Sequence, residues 1–242
     1  MPESELFVTK FFNDYLAAPG NAALSLVGKH AEARPWADFI VMQLLVVASL
    51  MLLFAVLRPK LSADKPGKFQ QIFELLYEFV RDQAEDQVGH TAHRYLVFFG
   101  VIFLFILSSN LIGLVPCFES PTMNAPVTAG CAMATFAYYN LKGVQVNGIR
   151  YLGHFAGPLW WLAPLMFPIE IISHLARLLS LTVRLYANIF AGEQVTMVFL
   201  GLTKFGPPVI FMGLHIFVGV VQAYIFMLLA MVYVGGAVAH EH

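Results

Sequence analysis

Long apolar segments separated by short polar ones dominate the hydrophobic pattern of this chain. Residues 39–57 contain no charged side chain over 19 positions, and residues 95–118 and the shorter 127–141 are also uncharged. An α-helix rises 1.5 Å per residue, so about 20 apolar residues cross the roughly 30 Å hydrocarbon core of a bilayer. The pattern therefore predicts membrane-spanning helices at 39–57, 95–118 and 127–141.

A different pattern occupies residues 67–87, where apolar and charged side chains repeat at helical spacing. The apolar set is Phe69, Ile72, Phe73, Leu76, Phe79 and Val80, and the charged set is Glu74, Glu78, Arg81, Asp82 and Glu85. A helix with two such faces lies along a membrane surface and does not cross it. Residues 67–87 are therefore predicted to form an interfacial amphipathic helix.

Two unusually long apolar segments follow, at 164–203 and 208–238. Pro158, Pro164 and Pro168 break the chain near the start of the first, and no proline interrupts residues 169–202, which would be about 51 Å long as a helix. To fit a core about 30 Å thick, such a helix must tilt by about 50° or bend, with Gly192 as a candidate bend. We predict an antiparallel hairpin of two oblique helices.

Composition agrees with a membrane location, since 59% of the 242 residues are hydrophobic and 12% are charged. Soluble domains average roughly 45–50% apolar and about 25% charged residues. The predicted fold class is an all-α integral membrane protein with about five membrane helices and one interfacial helix. We expect an external segment at 1–38 without a cleavable signal peptide and a single transmembrane domain at 39–242. A net charge of -1 favours no nucleic-acid partner.

The distribution of basic residues predicts the orientation. Under this topology eight Lys and Arg residues are cytoplasmic and four are external. The cytoplasmic set is Arg58, Lys60, Lys65, Lys68, Arg81, Arg94, Lys142 and Arg150, and the external set is Lys10, Lys29, Arg34 and Lys204. Because cytoplasmic loops are enriched in Lys and Arg, we expect the N-terminus outside and the C-terminus in the cytoplasm.

Polar side chains recur along the first hairpin helix at offsets that fit one helical stripe. They are Glu170, His174, Arg177, Arg184 and Asn188. A charge near the bilayer centre costs about 2.5–3.5 kcal/mol, so such a stripe must face protein or water. Arg184 cannot release its proton, because a guanidinium has a pKa above about 12, and it is predicted to act as an electrostatic gate for a carboxylate.

The second hairpin helix offers no Asp or Glu opposite Arg184, so we expect another subunit to supply that carboxylate. Antiparallel pairing about Lys204 brings Glu193 to His215 and Arg184 level with Gln222. Glu193 and His215 then lie towards the outer side of Arg184. Glu170, Ser173, His174 and Arg177 lie towards the inner side. The sequence thus predicts two half-paths for protons, separated by Arg184.

Other types of site are not indicated. Cys117 and Cys131 lie in apolar surroundings without metal-ligand spacing, and they form either a disulfide or two inert thiols. The sequence contains no phosphate-binding glycine loop, nucleophile elbow or zinc-protease motif. We expect no cofactor and no small-molecule substrate other than protons.

Several stretches resemble the subunit a family of F-type ATP synthases. The most specific are residues 180–193, SLTVRLYANIFAGE, and residues 222–227, QAYIFM. Residues 66–74, 110–116 and 121–128 support the resemblance, which covers nearly the whole chain after about residue 35. Two departures are Leu178, where the family often has Pro, and Ala187, where it has Gly. Leu178 should make the inner half of the helix more regular.

The resemblance implies the fixed, non-catalytic half of a proton turbine in a bacterial plasma (inner) membrane. Its implied partners are a ring of c subunits, b-type peripheral stalk subunits and membrane lipid. Arg184 would face the ring carboxylate, and Asn188, Glu193, His215 and Gln222 would line the outer half-path. Glu170 and Ser173 would line the inner one.

Two other functions fit parts of the pattern. A stand-alone ion channel or secondary transporter would need a carboxylate opposite Arg184 in this chain, and the sequence offers none. An intramembrane enzyme would need a nucleophile beside Glu193 and His215, and none accompanies them.

Overall fold

The computed structural model describes residues 6–26, 34–62, 66–115, 118–148, 163–202 and 207–238, and every regular element in these ranges is helical. The α-helices are α1 (Phe7–Tyr15), α2 (Ala17–Leu26), α3 (Asp38–Leu57), α4 (Lys68–Val88), α5 (Leu96–Ile112), α6 (Ala125–Asn147), α7 (Ala163–Leu202) and α8 (Pro207–Val238). Short 3₁₀ turns occupy Arg58–Lys60, Gly89–Arg94 and Pro121–Met123. The predicted all-α class is confirmed.

Three described helices are long and apolar enough to cross a membrane: Asp38–Leu57, Pro164–Leu202 and Val209–Val238. Leu96–Ile112 is a shorter apolar helix. These helices confirm a membrane protein, while the total of five spans and the external position of residues 1–38 stay predictions. The bounds of α3, α4, α7 and α8 agree with the predicted segments to within one residue at each end.

Two of the predicted spans have different bounds in the structure. Helix α5 ends at Ile112 rather than at 118, because the chain turns back at Gly113, where an added Cβ would lie 3.0 Å from the Ser120 backbone nitrogen. Helix α6 continues past 141 to Asn147, whose side-chain amide donates to the Ala237 carbonyl of α8 at 2.9 Å. It ends at Gly148, whose φ of 58° suits a residue without a side chain.

Helix α7 spans 40 residues, or about 60 Å, which is twice the thickness of a hydrocarbon core. The predicted break at the prolines is wrong in part, because α7 begins at Ala163 and includes Pro168. Pro168 removes one backbone hydrogen bond, that to the carbonyl of Pro164. The helix is also unbroken at Leu178 and at Gly192.

Helix α8 lies at the centre of the bundle, where it packs against α4, α5, α6 and α7. Phe226, Met227 and Met231 on α8 are fully or almost fully buried, and they meet Phe99 and Ile106 of α5 in one apolar core. In the most apolar part of α8, 39% of residues are buried, against 11% in α7. One side of α7 is therefore left open.

Helix α4 lies lengthwise against the C-terminal half of α8. The Tyr224 hydroxyl donates a hydrogen bond of 2.9 Å to Gln83 Oε1, and the Tyr224 and Phe79 rings are 5.7 Å apart. Further along both helices, Gly235 of α8 meets the backbone carbonyl of Gln87. The two helices therefore run in the same direction, and α4 buries Val80 and Ala84. Its position on a membrane surface stays a prediction.

The segment before α3 is attached to the start of that helix. Asn13 of α1 donates to the Trp36 carbonyl at 3.2 Å and accepts from the Trp36 backbone N–H at 3.0 Å. The Trp36 indole N–H donates to the carbonyl of Leu16 at 2.7 Å. The two N-terminal helices are thus held against the entry to the first apolar helix.

Cys131 is a free, buried thiol on α6. Its predicted alternative, a bond to Cys117, concerns a residue that lies outside the described ranges.

The contact of α4 with α8 predicts that alanine substitutions at two neighbouring glycines differ greatly in their effect on stability. A Cβ at Gly235 would lie 2.6 Å from the Gln87 carbonyl oxygen, a backbone atom that cannot rotate away. We expect Gly235→Ala to destabilise the protein by about 1–3 kcal/mol. Gly236→Ala meets nothing within 4 Å and should change little. Thermal unfolding in detergent measures both, and equal midpoints would show that the helices are not in backbone contact.

Candidate functional site

Arg184 lies in the middle of α7 on its open side. The side chain is exposed in the isolated chain, beside the exposed apolar residues Leu179 and Val183. Its guanidinium donates one long hydrogen bond, 3.4 Å, to the Ser180 hydroxyl. Within the described part of the chain, no carboxylate lies within the 4.0 Å ion-pair distance of Arg184. The positive charge of Arg184 therefore has no counter-charge among the described residues.

The polar side chains of the predicted stripe on α7 differ in exposure along the helix. His174 is 7% exposed and faces the bundle, and Glu170 and Arg177 are half-buried, whereas Arg184 and Asn188 are exposed. At 3.6 residues per turn all five side chains lie within an arc of about 80°, since Glu170 and Asn188 are five whole turns apart. They therefore form one stripe, which the bundle covers at His174 and leaves open at Arg184.

The inner group of predicted residues lies where α6, α7 and α8 meet. His174 Nε2 is 3.3 Å from Glu170 Oε1, and His174 Nδ1 is 2.7 Å from the Tyr139 hydroxyl of α6. The Arg177 guanidinium stacks over the Tyr233 ring of α8 at 5.6 Å. Ser173 is half-buried and has no side-chain hydrogen bond to a described residue. Glu170 and His174 are thus joined, and Arg177 lies beside them.

The outer group lies between α7 and α8. Asn188 donates a hydrogen bond of 2.8 Å to Gln222 Oε1, while Gln222 Nε2 is buried without a partner among the described residues. Oε2 of Glu193 is likewise buried and unpaired there. Such atoms cost about 1–3 kcal/mol each when left unsatisfied, so they favour a site that exchanges hydrogen bonds with water or a proton carrier.

The predicted register of the hairpin holds to within two residues. His215 is 8% exposed and packs against Gly192, the neighbour of Glu193, and the Phe199 and Phe211 rings stack at 4.1 Å. The pairing of Arg184 with Gln222 is wrong, because Gln222 bonds Asn188, one turn further along α7. Gly192, a candidate bend from the sequence, serves instead to let the His215 ring approach.

A buried polar network beside the outer group was not predicted. Asn110 of α5 donates to the Gly219 carbonyl of α8 at 2.9 Å and accepts from the Thr122 hydroxyl at 2.7 Å. The Ser120 hydroxyl lies 2.8 Å from that of Thr122 and donates to the Ser109 carbonyl at 2.7 Å. A polar Asn within the apolar α5 was the available signal. The network fixes Gly219, which lies between His215 and Gln222 in sequence.

Tyr139 is the other functional candidate that sequence reasoning missed. It is 2% exposed and lies in a run of aromatic residues that gives no hint of a polar contact. In the described ranges no group of three or more His, Cys, Asp and Glu residues is placed to hold a metal ion.

Comparison with known proteins gives consistent matches over most of the chain. The family model described as ATP synthase A chain matches residues 40–235. ATP synthase subunit a of Solibacter usitatus is 65% identical over 232 residues, covering 96% of this chain and 100% of that protein. The subunit a of Koribacter versatilis is 48% identical, covering 98% of each chain. That of Geotalea daltonii is 39% identical over 206 residues, covering 85% and 90%.

The packing of His215 on Gly192 predicts that a larger residue at position 192 destabilises the protein. A Cβ at Gly192 would lie 2.5 Å from His215 Nδ1, so Gly192→Ala must displace the imidazole or separate α7 from α8. We expect a loss of about 1–3 kcal/mol in unfolding free energy. Gly201→Ala on the same helix meets nothing within 4 Å and is the matched control. If denaturant unfolding in detergent gives the same loss for both, the close approach is not present in solution.

Proposed function

The chain belongs to the ATP synthase A chain family, and from this membership we propose that it separates two proton half-paths with Arg184, which faces a carboxylate on a rotating ring of c subunits. As a family member it is a membrane-sector subunit of ATP synthase with a role in proton transport and ATP synthesis. The proposal concerns how its residues perform that role.

The observation that supports this proposal most is the absence of any described carboxylate beside Arg184. A permanent cation in an apolar helix costs about 2.5–3.5 kcal/mol near the bilayer centre. The residues that flank it on the open side of α7 are small: Ser180, Ala187 and Ala191 are all exposed. They leave room for another helix to approach, and a carboxylate on that helix would neutralise the guanidinium.

An arginine suits a gate for a chemical reason. It attracts an ionised carboxylate and favours that form, so a ring carboxylate that arrives protonated gives up its proton nearby. Arg184 itself keeps its proton at every pH of biological interest. Protons therefore cannot pass through Arg184, and each must travel with the ring from one half-path to the other.

The outer half-path in this proposal is lined by Asn188, Glu193, His215 and Gln222. The buried, unpaired atoms of Glu193 and Gln222 support this assignment, since they can bond to water or to a passing proton. Glu193 and His215 are titratable, and His215 lies at the interface of the two hairpin helices.

The inner half-path is lined by Glu170, Ser173, His174 and Arg177. The contact of Glu170 with His174 supports this assignment, because the two can hold a proton between them. Arg177 adds a positive charge beside this pair, where its guanidinium lies over the Tyr233 ring.

Further parts of the proposal concern the surroundings of the chain. We place it in a bacterial plasma (inner) membrane with residues 1–38 outside and the C-terminus in the cytoplasm, on the distribution of Lys and Arg. Its partners are the c ring and b-type peripheral stalk subunits. The chain performs no covalent chemistry of its own, and its driving force is about 2.3 kcal/mol per charge per 100 mV of membrane potential.

Replacing Arg184 tests the gate directly. In membrane vesicles that contain the complete ATP synthase, Arg184→Ala should lower proton-driven ATP synthesis by about 100-fold or more and raise passive proton permeability. Val183→Ala, on the same exposed side of α7, should leave both unchanged. Normal coupled synthesis in the Arg184 variant would end the proposal.

Exchange of Glu193 and His215 tests the outer half-path. If the two residues act together across the hairpin, the double variant E193H/H215E should retain more ATP-driven proton pumping than either single variant. The rate of fluorescence quenching in inverted vesicles gives this comparison. If the double variant pumps no faster than the weaker single variant, Glu193 and His215 do not act together.

A further inference from the structure

The His174 ring is held between aromatic rings in the interior of the bundle. It stacks on Tyr139 with a centroid distance of 5.7 Å and an interplanar angle of 22°, and it meets the edge of Phe136 at 6.2 Å and 86°. Both His174 and Tyr139 are at least nine-tenths buried. The ring therefore has little freedom to turn, and its two nitrogen atoms keep different partners.

These two partners determine which nitrogen carries the proton. An ionised Glu170 only accepts hydrogen bonds, so His174 Nε2, 3.3 Å away, must carry the hydrogen when the imidazole is neutral. Nδ1 is then the acceptor, and the Tyr139 hydroxyl at 2.7 Å donates to it. The contact runs in one direction, from the tyrosine through the imidazole to the carboxylate.

We propose that Tyr139 is a positioning residue for the inner half-path, which directs His174 Nε2–H towards Glu170 and so orients the carboxylate that takes up the transported proton. This inference rests on the proposed function, because it assigns a role within the same path. Tyr139 does not itself take up the transported proton. It fixes the tautomer and the orientation of His174, which in turn holds Glu170.

The pair holds one transported proton at a time, and Glu170 carries it. The His174 nitrogen that faces Glu170 already bears a hydrogen, so the proton cannot pass to that nitrogen. The proton binds the ionised carboxylate and gives protonated Glu170 beside neutral His174. Its loss to the other side restores the starting pair, and His174 keeps its own hydrogen throughout.

Other charged and titratable groups lie on the inner parts of the three helices packed here. They are Arg177 on α7, Tyr138 and Lys142 on α6, and Tyr233 on α8. Arg177 is stacked on Tyr233, and Lys142 bonds Gln145 and lies over Tyr138 at 5.7 Å. Both cations thus have these contacts, and among the described residues Glu170 is the carboxylate within ion-pair distance of the His174 ring.

Inverted membrane vesicles test this role, because the cytoplasmic side of the complete synthase then faces the bath. ATP-driven proton uptake is measured as a function of bath pH for Y139F. We expect the uptake rate to fall about 2- to 10-fold and its pH profile to move by about 0.5 to 1 pH unit, the effect of one lost hydrogen bond. Y138F is the matched control, since Tyr138 stacks on Phe98 without a hydroxyl partner among the described residues, and it should match the parent protein.

A double variant separates positioning from a structural role. If Tyr139 acts through His174, Y139F should have no further effect in the H174L background, so Y139F/H174L and H174L should give the same rates and profiles. Additive losses, or an unchanged pH profile in Y139F, would overturn the proposal. Should Y139F fail to assemble, H174Q provides the second test. Its amide N–H still donates to Glu170, so H174Q should retain a higher uptake rate than H174L, and equal losses in the two variants would overturn the proposal.

These results are independent of the gate. Loss of coupling in Arg184→Ala together with parental behaviour of Y139F would reject the positioning role of Tyr139 alone. Normal coupling in Arg184→Ala would reject the proposed function, whatever Tyr139 does.

Discussion

A guanidinium keeps its charge at any pH that a cell tolerates, so an arginine in a water-poor region needs an opposite charge. In α7 that need is not met by the described part of the chain, and the open side of the helix around Arg184 is lined by small and apolar residues. The architecture follows from this constraint. Helix α7 is supported from one side by α6 and α8, and its other side stays free for the partner.

Helix α7 is supported by α8 and by α6, and α8 is itself fixed by polar contacts within an apolar core. Asn110 binds the Gly219 carbonyl, Asn188 binds Gln222, and Asn147 binds the Ala237 carbonyl at 2.9 Å. Each of these bonds joins helices that are distant in sequence. Apolar packing alone allows helices to slide and rotate, whereas a buried hydrogen bond that must be satisfied selects one arrangement. The positions of the proposed path residues on α8 are therefore set in part by Asn110 and Asn147, which lie outside the proposed path.

Hydropathy and charge predicted most of the helices because the apolar interior of a bilayer selects long apolar segments and excludes charged ones. Helices α3, α4, α7 and α8 were located to within a residue at each end, and the antiparallel register of α7 and α8 to within two. Errors arose where a local contact overrides hydropathy, as at the turn after Ile112. The different exposure of His174 and Arg184 could not be predicted from the stripe on α7, because it depends on which part of α7 the neighbouring helices cover.

Among the candidate site residues, Arg184 was found because a charge in an apolar helix is conspicuous in sequence. Tyr139 and Asn110 were missed as functional candidates for the opposite reason. A tyrosine in an aromatic run and an asparagine near a helix end are common, and only the packing of α6 and α5 against their neighbours gives each a specific partner. Contacts between helices far apart in sequence cannot be read from periodicity within one helix.

The meeting of α4 and α8 at Gly235 has a mechanical consequence. Because the Gln87 backbone touches the glycine without an intervening side chain, no deformable layer separates these two helices. A displacement of α4 at this point would be passed directly to α8, the helix that bears Gln222.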